Sequence, residues 1–270
     1  METQYIHGYS TTEQKRLLGQ ASFLSEYIFR NIDLTNCQHL LEVGVGVGAQ
    51  TILLLEKFPH LHITGVELSE VQLAQAKKNL AMYPQFAKRY EIIQADAKKL
   101  DNLDTTGIDA VLFIWVLEHI PQPKEVLAEI RRVLPTNSLI SITEVFNDSL
   151  FLYPPCPAVT NYWRNSIDFQ YSIHGDPDVG ARLGVLLSDT GYRDIQVTPC
   201  VIHLDKRWPQ QRLTFLQYWK DLMYSHLHSM IEAGYTTFSE WEKVAAEMDI
   251  LMENTEAVFY YNAMQAIAKI

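Results

Sequence analysis

Apolar positions along the first half of the chain follow two different spacings. Between residues 11 and 32, Leu17, Leu18, Phe23, Leu24, Tyr27 and Ile28 recur at helical spacing. This predicts an amphipathic helix opened by Thr11 or Thr12, with Glu13 in its first turn. Short continuous apolar runs then take over: HLLEVGV from His39, HITGVEL from His62, YEIIQAD from Tyr90, IDAVLFIWV from Ile108 and SLISITEVF from Ser138. Runs of this length, bounded by turn residues, predict strands buried on both faces. The intervening segments AQTILLLEKF, SEVQLAQAKKNLAMY and QPKEVLAEIRRVL return to helical spacing. Ser69 stands as an N-cap, Leu73, Ala76 and Leu80 form a buried stripe, and Pro135 stops the third helix. Strands alternating with helices predict an α/β fold built on a parallel sheet.

After Asn147 the pattern breaks. Residues 146 to 177 read as loop-rich, with several prolines and aromatics. A helix capped by Asp176 or Asp178 and stopped at Gly191 follows, then a sixth strand, a helical stretch from about 205 to 255, and a closing strand in EAVFYYNAMQAIAKI. One domain over residues 1–270 accounts for this order: an N-terminal helix and lid over 1–34, a ligand-binding half over 35–145, insertions over 146–177 and 205–255, and the closing strand over 256–270.

Composition narrows the function. Hydrophobic residues make up 47% of 270 positions and charged residues 20%, an ordinary globular balance. The opening residues have no secretory pattern, and no apolar run is long enough for a bilayer, so neither a membrane partner nor secretion is expected. Cys37, Cys156 and Cys200 are odd in number and scattered, which points to reduced thiols in the cytoplasm and to no disulfide framework. The pairs His60/His62 and His226/His228 are spaced i, i+2, which splays ligands on a helix, and no metal is expected. A formal net charge of −10 argues against a nucleic-acid partner, because phosphate binding needs concentrated Lys and Arg.

The candidate chemistry begins in LLEVGVGVGAQT, where Gly44, Gly46 and Gly48 alternate between a strand and a helix. Glycines there let the backbone turn tightly or approach a ligand closely, and a nucleotide-containing cofactor suits the position. Glu67 ends the second strand, where an acid can accept hydrogen bonds from both ribose hydroxyls. Asp96 follows the third strand, where a carboxylate can read an adenine amino group, and Glu118 and His119 follow the fourth. The G-x-G-x-G spacing departs from the G-x-G-x-x-G expected beside a pyrophosphate, so an adenosyl group with an amino-acid tail fits better than a dinucleotide.

Taken in order, LLEVGVGVGAQT, GVELS, QADAKKL, DAVLFIWVLEHIPQP and IRRVLPTNSLISITE resemble the class I S-adenosylmethionine-dependent methyltransferases of the small-molecule type. The resemblance covers about residues 35 to 200 and the last strand. It implies a Rossmann-like, mostly parallel seven-stranded sheet with helices on both faces. The last strand would run antiparallel between strands five and six, and a helical lid would cover the cofactor face. It also implies a site for S-adenosyl-L-methionine. Gly44, Gly46 and Gly48 would border the methionine part, Glu67 would hold the ribose and Leu68 would pack on adenine. Asp96 and the Ala97 amide would read the adenine edge, with Ile114 and Trp115 beside the sulfonium and Glu42 joining the set. Tyr5, Tyr9 and Gln20 are the lid candidates over the cofactor. Many relatives carry Asn or Ser where this chain has Ile114 and Trp115, so contacts there fall to backbone carbonyls or to the indole.

Excursions after parallel strands five and six leave at the carboxyl-end face, so both insertions should cover the methyl group. They carry Trp163, Trp208, Trp219 and Trp241, with Tyr153, Tyr162, Tyr171, Tyr218, Tyr224 and Tyr235. Glu118 and His119 are the candidate catalytic pair, with His174 and His203 as further proton acceptors. The expected partner is a small organic methyl acceptor with N or O as the target atom. The alternatives are an NAD-dependent oxidoreductase on a similar sheet and a non-catalytic S-adenosylmethionine-binding protein.

Overall fold

Parallel strands form the centre of the molecule because their sequences are apolar on both sides. The computed structural model describes residues 6–8 and 10–270; Tyr5 and Tyr9 lie outside them. Strands β1 (His39–Val43), β2 (His62–Glu67), β3 (Tyr90–Gln94), β4 (Ala110–Ile114) and β5 (Leu139–Glu144) pair in parallel in the order β3-β2-β1-β4-β5. Leu40 and Leu112 join the apolar cluster on one face, while Leu41, Val111 and Phe113 join the cluster on the other. Each of these side chains is fully buried and contributes about 1.5–3 kcal/mol by leaving water.

Helix α1 (Thr11–Ile28) is capped by Ser10, whose hydroxyl accepts from the Glu13 amide, one residue before the expected Thr11. Helices α2 (Ala49–Lys57), α3 (Glu70–Ala81) and α4 (Pro123–Val133) fill the crossovers. Ser69 caps α3 as its sequence predicts, and α4 stops before Pro135.

The second half departs from the sequence reading in two places. The segment expected to be loop-rich folds into a three-residue strand, β6 (Phe151–Tyr153), and a sixteen-residue helix, α5 (Pro157–Ser172). Pro157 occupies the first turn of α5, where a missing N–H costs nothing, so the proline marks a helix start. A short 3-10 turn over Val179–Arg182 then precedes α6 (Leu183–Asp189). Strand β7 (Arg193–Leu204) leads into α7 (Pro209–Ser225), α8 (Leu227–Glu232) and α9 (Phe238–Glu253). A capping box between Thr237 and Glu240 opens α9, which packs on α5 and α7.

The closing strand β8 (Val258–Lys269) runs antiparallel between β5 and β7, as expected. Its first residues also pair with β6, so among the described residues the sheet has eight strands where seven were predicted. Among the described residues no helix is long and apolar enough to cross a membrane.

Candidate functional site

The turns at the carboxyl ends of β1 to β4 form the floor of one cavity of about 1440 Å³, and α1, α5 and α7 form its roof. A pocket for a drug-sized molecule is about 300–1,000 Å³, so this one has room for a nucleoside-sized group and a second molecule.

The glycine turn has three different local reasons. All three residues have positive φ: 73° at Gly44, 58° at Gly46 and 79° at Gly48. A Cβ on Gly44 would stand 2.6 Å from Cγ2 of Val116, and one on Gly48 would press on Leu80 of α3. Those two glycines therefore serve packing. At Gly46 no atom of the described residues, its chain neighbours aside, lies within 4 Å of the Cβ position, and the backbone there borders the cavity. This open cradle is the feature a bound amino-acid tail would use. Asn79 ties the turn to α3 by donating to the Val47 carbonyl at 2.8 Å. Gln50, at the start of α2, lines the cavity with a buried Oε1 that has no partner among the described residues.

Glu67 fixes the turn from below. Its Oε2 accepts from the Gly46 amide at 2.8 Å and its Oε1 from the Ser69 amide at 2.9 Å. The carboxylate is held between two loops, with lone pairs remaining for further donors. Asp96 is half-buried, and its Oδ1 accepts from the Lys98 amide at 2.9 Å. Leu68 and Ala97 line the same cavity, Leu68 at its exposed rim. Glu42 does not line it. That carboxyl lies beneath the floor, hydrogen-bonded by the Thr51 hydroxyl at 2.7 Å, and burial pushes its pKa up to about 7.

The turn after β4 is clamped from β5. Oε1 of Glu144 accepts from the amides of Val116 and Leu117, at 2.8 and 2.7 Å. Glu144 is fully buried, and burial, reinforced by the nearby Glu118 carboxyl, pushes its pKa well above the usual carboxylate range. This clamp presents Ile114, Trp115, Glu118 and His119 to the cavity. Glu118 accepts from Nε2 of Gln170 on α5 at 2.8 Å, and its other oxygen lies 3.6 Å from Nε2 of His119.

From the roof, Gln20 lines the cavity and accepts from Arg16, which also holds both oxygens of Glu13. Trp163, Tyr218 and Trp219 face the cavity from α5 and α7. Trp208 is half exposed, and Trp241 packs against the rings of Tyr162 and Tyr224, so the aromatic lid is smaller than the sequence suggested. His174 and His203 lie outside the cavity lining. His7, Ser166, Gln170 and His226 also line it; of these the sequence pointed only to His226, and there as half of a histidine pair. Only their folded proximity marks them, since no local motif contains them.

Residues 41–142 match the family described as a methyltransferase domain. A demethylmenaquinone methyltransferase of Thermotoga maritima is 33% identical over 110 residues, 41% of this chain and 44% of that one. The chain spans about half the length of the curated relatives it matches. Among solved structures, the phosphoethanolamine N-methyltransferase 2 of Haemonchus contortus, in complex with phosphomonomethylethanolamine and S-adenosylhomocysteine, has a TM-score of 0.58 at 16% identity. That likeness covers 99% of this chain and 59% of the other. The [4+2]-cyclase SpnF has a TM-score of 0.55 at 19% identity, covering 93% of this chain and 81% of that one. At such identities the likeness establishes the fold. Residues 41–142 thus resemble a methyltransferase domain, and the chain has the fold of the solved methyltransferases to which it is similar.

Proposed function

We propose that the protein transfers a methyl group from S-adenosyl-L-methionine to N or O of a small organic molecule. The observation that carries this reading is Glu67. Its carboxylate is pinned by the Gly46 and Ser69 amides, in one cavity with Asp96 and with an open glycine cradle.

In this reading the backbone at Gly44 and Gly46 borders the methionine tail, Glu67 meets the ribose hydroxyls, and Asp96 with the Ala97 amide meets the adenine. Leu68 covers the base at the rim, and Ile114 and Trp115 border the sulfonium. Gly48 and Glu42 act through the loop that they support. When bound, the cofactor supplies an activated methyl group. The protein's work is alignment and exclusion of water, which the roof of α1, α5 and α7 provides. Glu118 and His119, 3.6 Å apart beside the cavity, are the candidates for taking a proton from a hydroxyl or ammonium acceptor.

The relatives support transfer to small molecules: the Haemonchus neighbour holds a phosphorylated amine. The acidic balance of −10 favours such an acceptor over nucleic acid. Three free, buried thiols, Cys37, Cys156 and Cys200, fit a reducing compartment such as the cytoplasm. The test is a metabolite extract incubated with isotopically labelled donor. A labelled small-molecule product and S-adenosylhomocysteine are expected; cofactor that binds but never turns over would favour a non-catalytic binding protein.

A further inference from the structure

The geometry points to an acceptor subsite for a neutral, planar, oxygen-bearing molecule, a hydroxylated or oxo-substituted fused-ring aromatic. It would be held by the indole N–H groups of Trp115 and Trp219 and by Nδ1 of His226. That the molecule is the methyl acceptor rests on the methyltransferase reading above; that the subsite binds it does not.

Trp115 has φ of +55°, a left-handed conformation that bulky residues rarely adopt. It is held there on both sides. Its amide donates to the Thr143 carbonyl at 2.9 Å, and the next two amides are taken by Glu144. The indole borders the cavity, with Nε1 buried and without a partner among the described residues. Buried indole N–H groups ordinarily find one.

The roof repeats the feature. Trp219 is 4% exposed and its Nε1 is also without a partner among the described residues. His226 is 2% exposed; its Nε2 meets Oγ of Ser166 at 2.9 Å, and Nδ1 has no partner among the described residues. Both residues border the same cavity. They are seven positions apart, so their backbones lie about 10 Å apart along the helix axis, on one face of α7 and its cap. A molecule two fused rings long, with an oxygen at each end, suits that backbone spacing.

The chemistry of the orphan atoms selects the class. An indole N–H only donates, so the atom facing it must carry a lone pair, which an ammonium group lacks. A carboxylate is disfavoured for a different reason. Arg16 is already engaged by Glu13 and Gln20, Glu118 lines the same cavity, and burial lowers the pKa of His226 to about 3, leaving it neutral. A second carboxylate would be buried beside the Glu118 carboxyl, with Arg16 already paired to Glu13. Neutral oxygen remains, between the apolar walls of Trp163 and Phe215.

Protein labelled with nitrogen-15 at the indoles tests this, with 2,6-dihydroxynaphthalene as probe. Naphthalene, naphthalen-2-ylmethylamine and naphthalene-2,6-dicarboxylate serve as comparators. The diol should bind most tightly and shift the Nε1–H proton resonances of Trp115 and Trp219 downfield. Trp115→Phe and Trp219→Phe should each weaken the diol about 3- to 10-fold, the factor for one hydrogen bond, and leave naphthalene unchanged. The inference is overturned if the amine or the dicarboxylate binds more tightly than the diol. It is also overturned if the indole resonances stay fixed in the wild-type protein, a result that needs no variant to fold. Calorimetry with S-adenosylhomocysteine on wild type and Trp219→Phe separates the two readings. Cofactor binding without a response to the diol removes only the subsite. A response to the diol without cofactor binding upholds the subsite and removes only the methyltransferase reading.

Discussion

Glu144 and Leu117, 27 residues apart in sequence, are joined by a 2.7 Å hydrogen bond from the Leu117 amide to Oε1 of the carboxyl. The same oxygen takes the Val116 amide, so one buried side chain at the end of β5 holds the turn that presents Trp115, Glu118 and His119. Glu144→Ala should cost about 1–3 kcal/mol for each amide left buried without an acceptor. Glu144→Gln, which keeps an oxygen, should cost less. Urea unfolding of both variants checks this, and an alanine variant as stable as wild type would show that the clamp is not needed.

The glycine turn separates packing from ligand approach. Gly44→Ala combines a positive φ with a Cβ 2.6 Å from Val116, so stability should fall by more than the ~1–2 kcal/mol that a left-handed conformation costs an L-residue. Gly46→Ala should cost only about that conformational penalty, because among the described residues no atom beyond its chain neighbours lies within 4 Å of its Cβ. Its methyl borders the cavity, so affinity for S-adenosylhomocysteine should fall further than stability does. Denaturation and calorimetry on the two variants read the contrast. Equal affinity in wild type and Gly46→Ala would place the cofactor elsewhere.

Much of this floor was legible because it is local. Each apolar run from β1 to β5 carries its own signal, and Ser69 and Pro135 mark helix ends by chemistry that a neighbour cannot alter. Helix α5 was hidden because Pro154, Pro155 and Pro157 read together as breakers, whereas Pro157 opens it. The short strand β6 exists only through its pairing with β8, a contact more than a hundred residues distant, as Phe151 with Tyr260 shows. His226 was weighed beside His228 as a metal pair, but its partner in the fold is Ser166. The lid side of the site is thus written in tertiary contacts, and sequence spacing does not carry them.

Asp96 tests the adenine end. Its Oδ1 serves the local Lys98 amide, so replacing the side chain disturbs little beyond the cavity rim. Asp96→Ala should weaken S-adenosylhomocysteine by about 1–3 kcal/mol. Glu67→Ala should show a similar loss together with lower stability, since the Gly46 and Ser69 amides lose their acceptor. Calorimetry on folded protein decides. Unchanged affinity in both variants would withdraw the two roles.

His226 makes stability depend on acid. Burial, assisted by the charge of Arg16, lowers its pKa from 6.5 to about 3 in the folded protein. Between those values the unfolded chain binds a proton that the folded chain refuses. Stability is therefore full above pH 6.5 and is lost as pH falls through the window toward 3. At one unit below the unfolded value the loss from this residue is about 1.4 kcal/mol. His7, also depressed by burial, adds to it with the same sign. Urea unfolding near neutrality and one unit below 6.5 should show a smaller acid-induced loss in His226→Gln than in wild type. An identical loss in both would assign the acid sensitivity to other groups.

The central claim is that the cradle at Gly46 and the carboxylates of Glu67 and Asp96 hold an adenosyl sulfonium. Titration calorimetry of the purified chain with S-adenosyl-L-methionine, S-adenosylhomocysteine and NADH tests it most directly. Saturable binding of the two adenosyl compounds, weakened by Asp96→Ala, with no heat from NADH, is the predicted result. Binding of NADH alone, or adenosyl binding indifferent to Asp96 and Glu67, would contradict it.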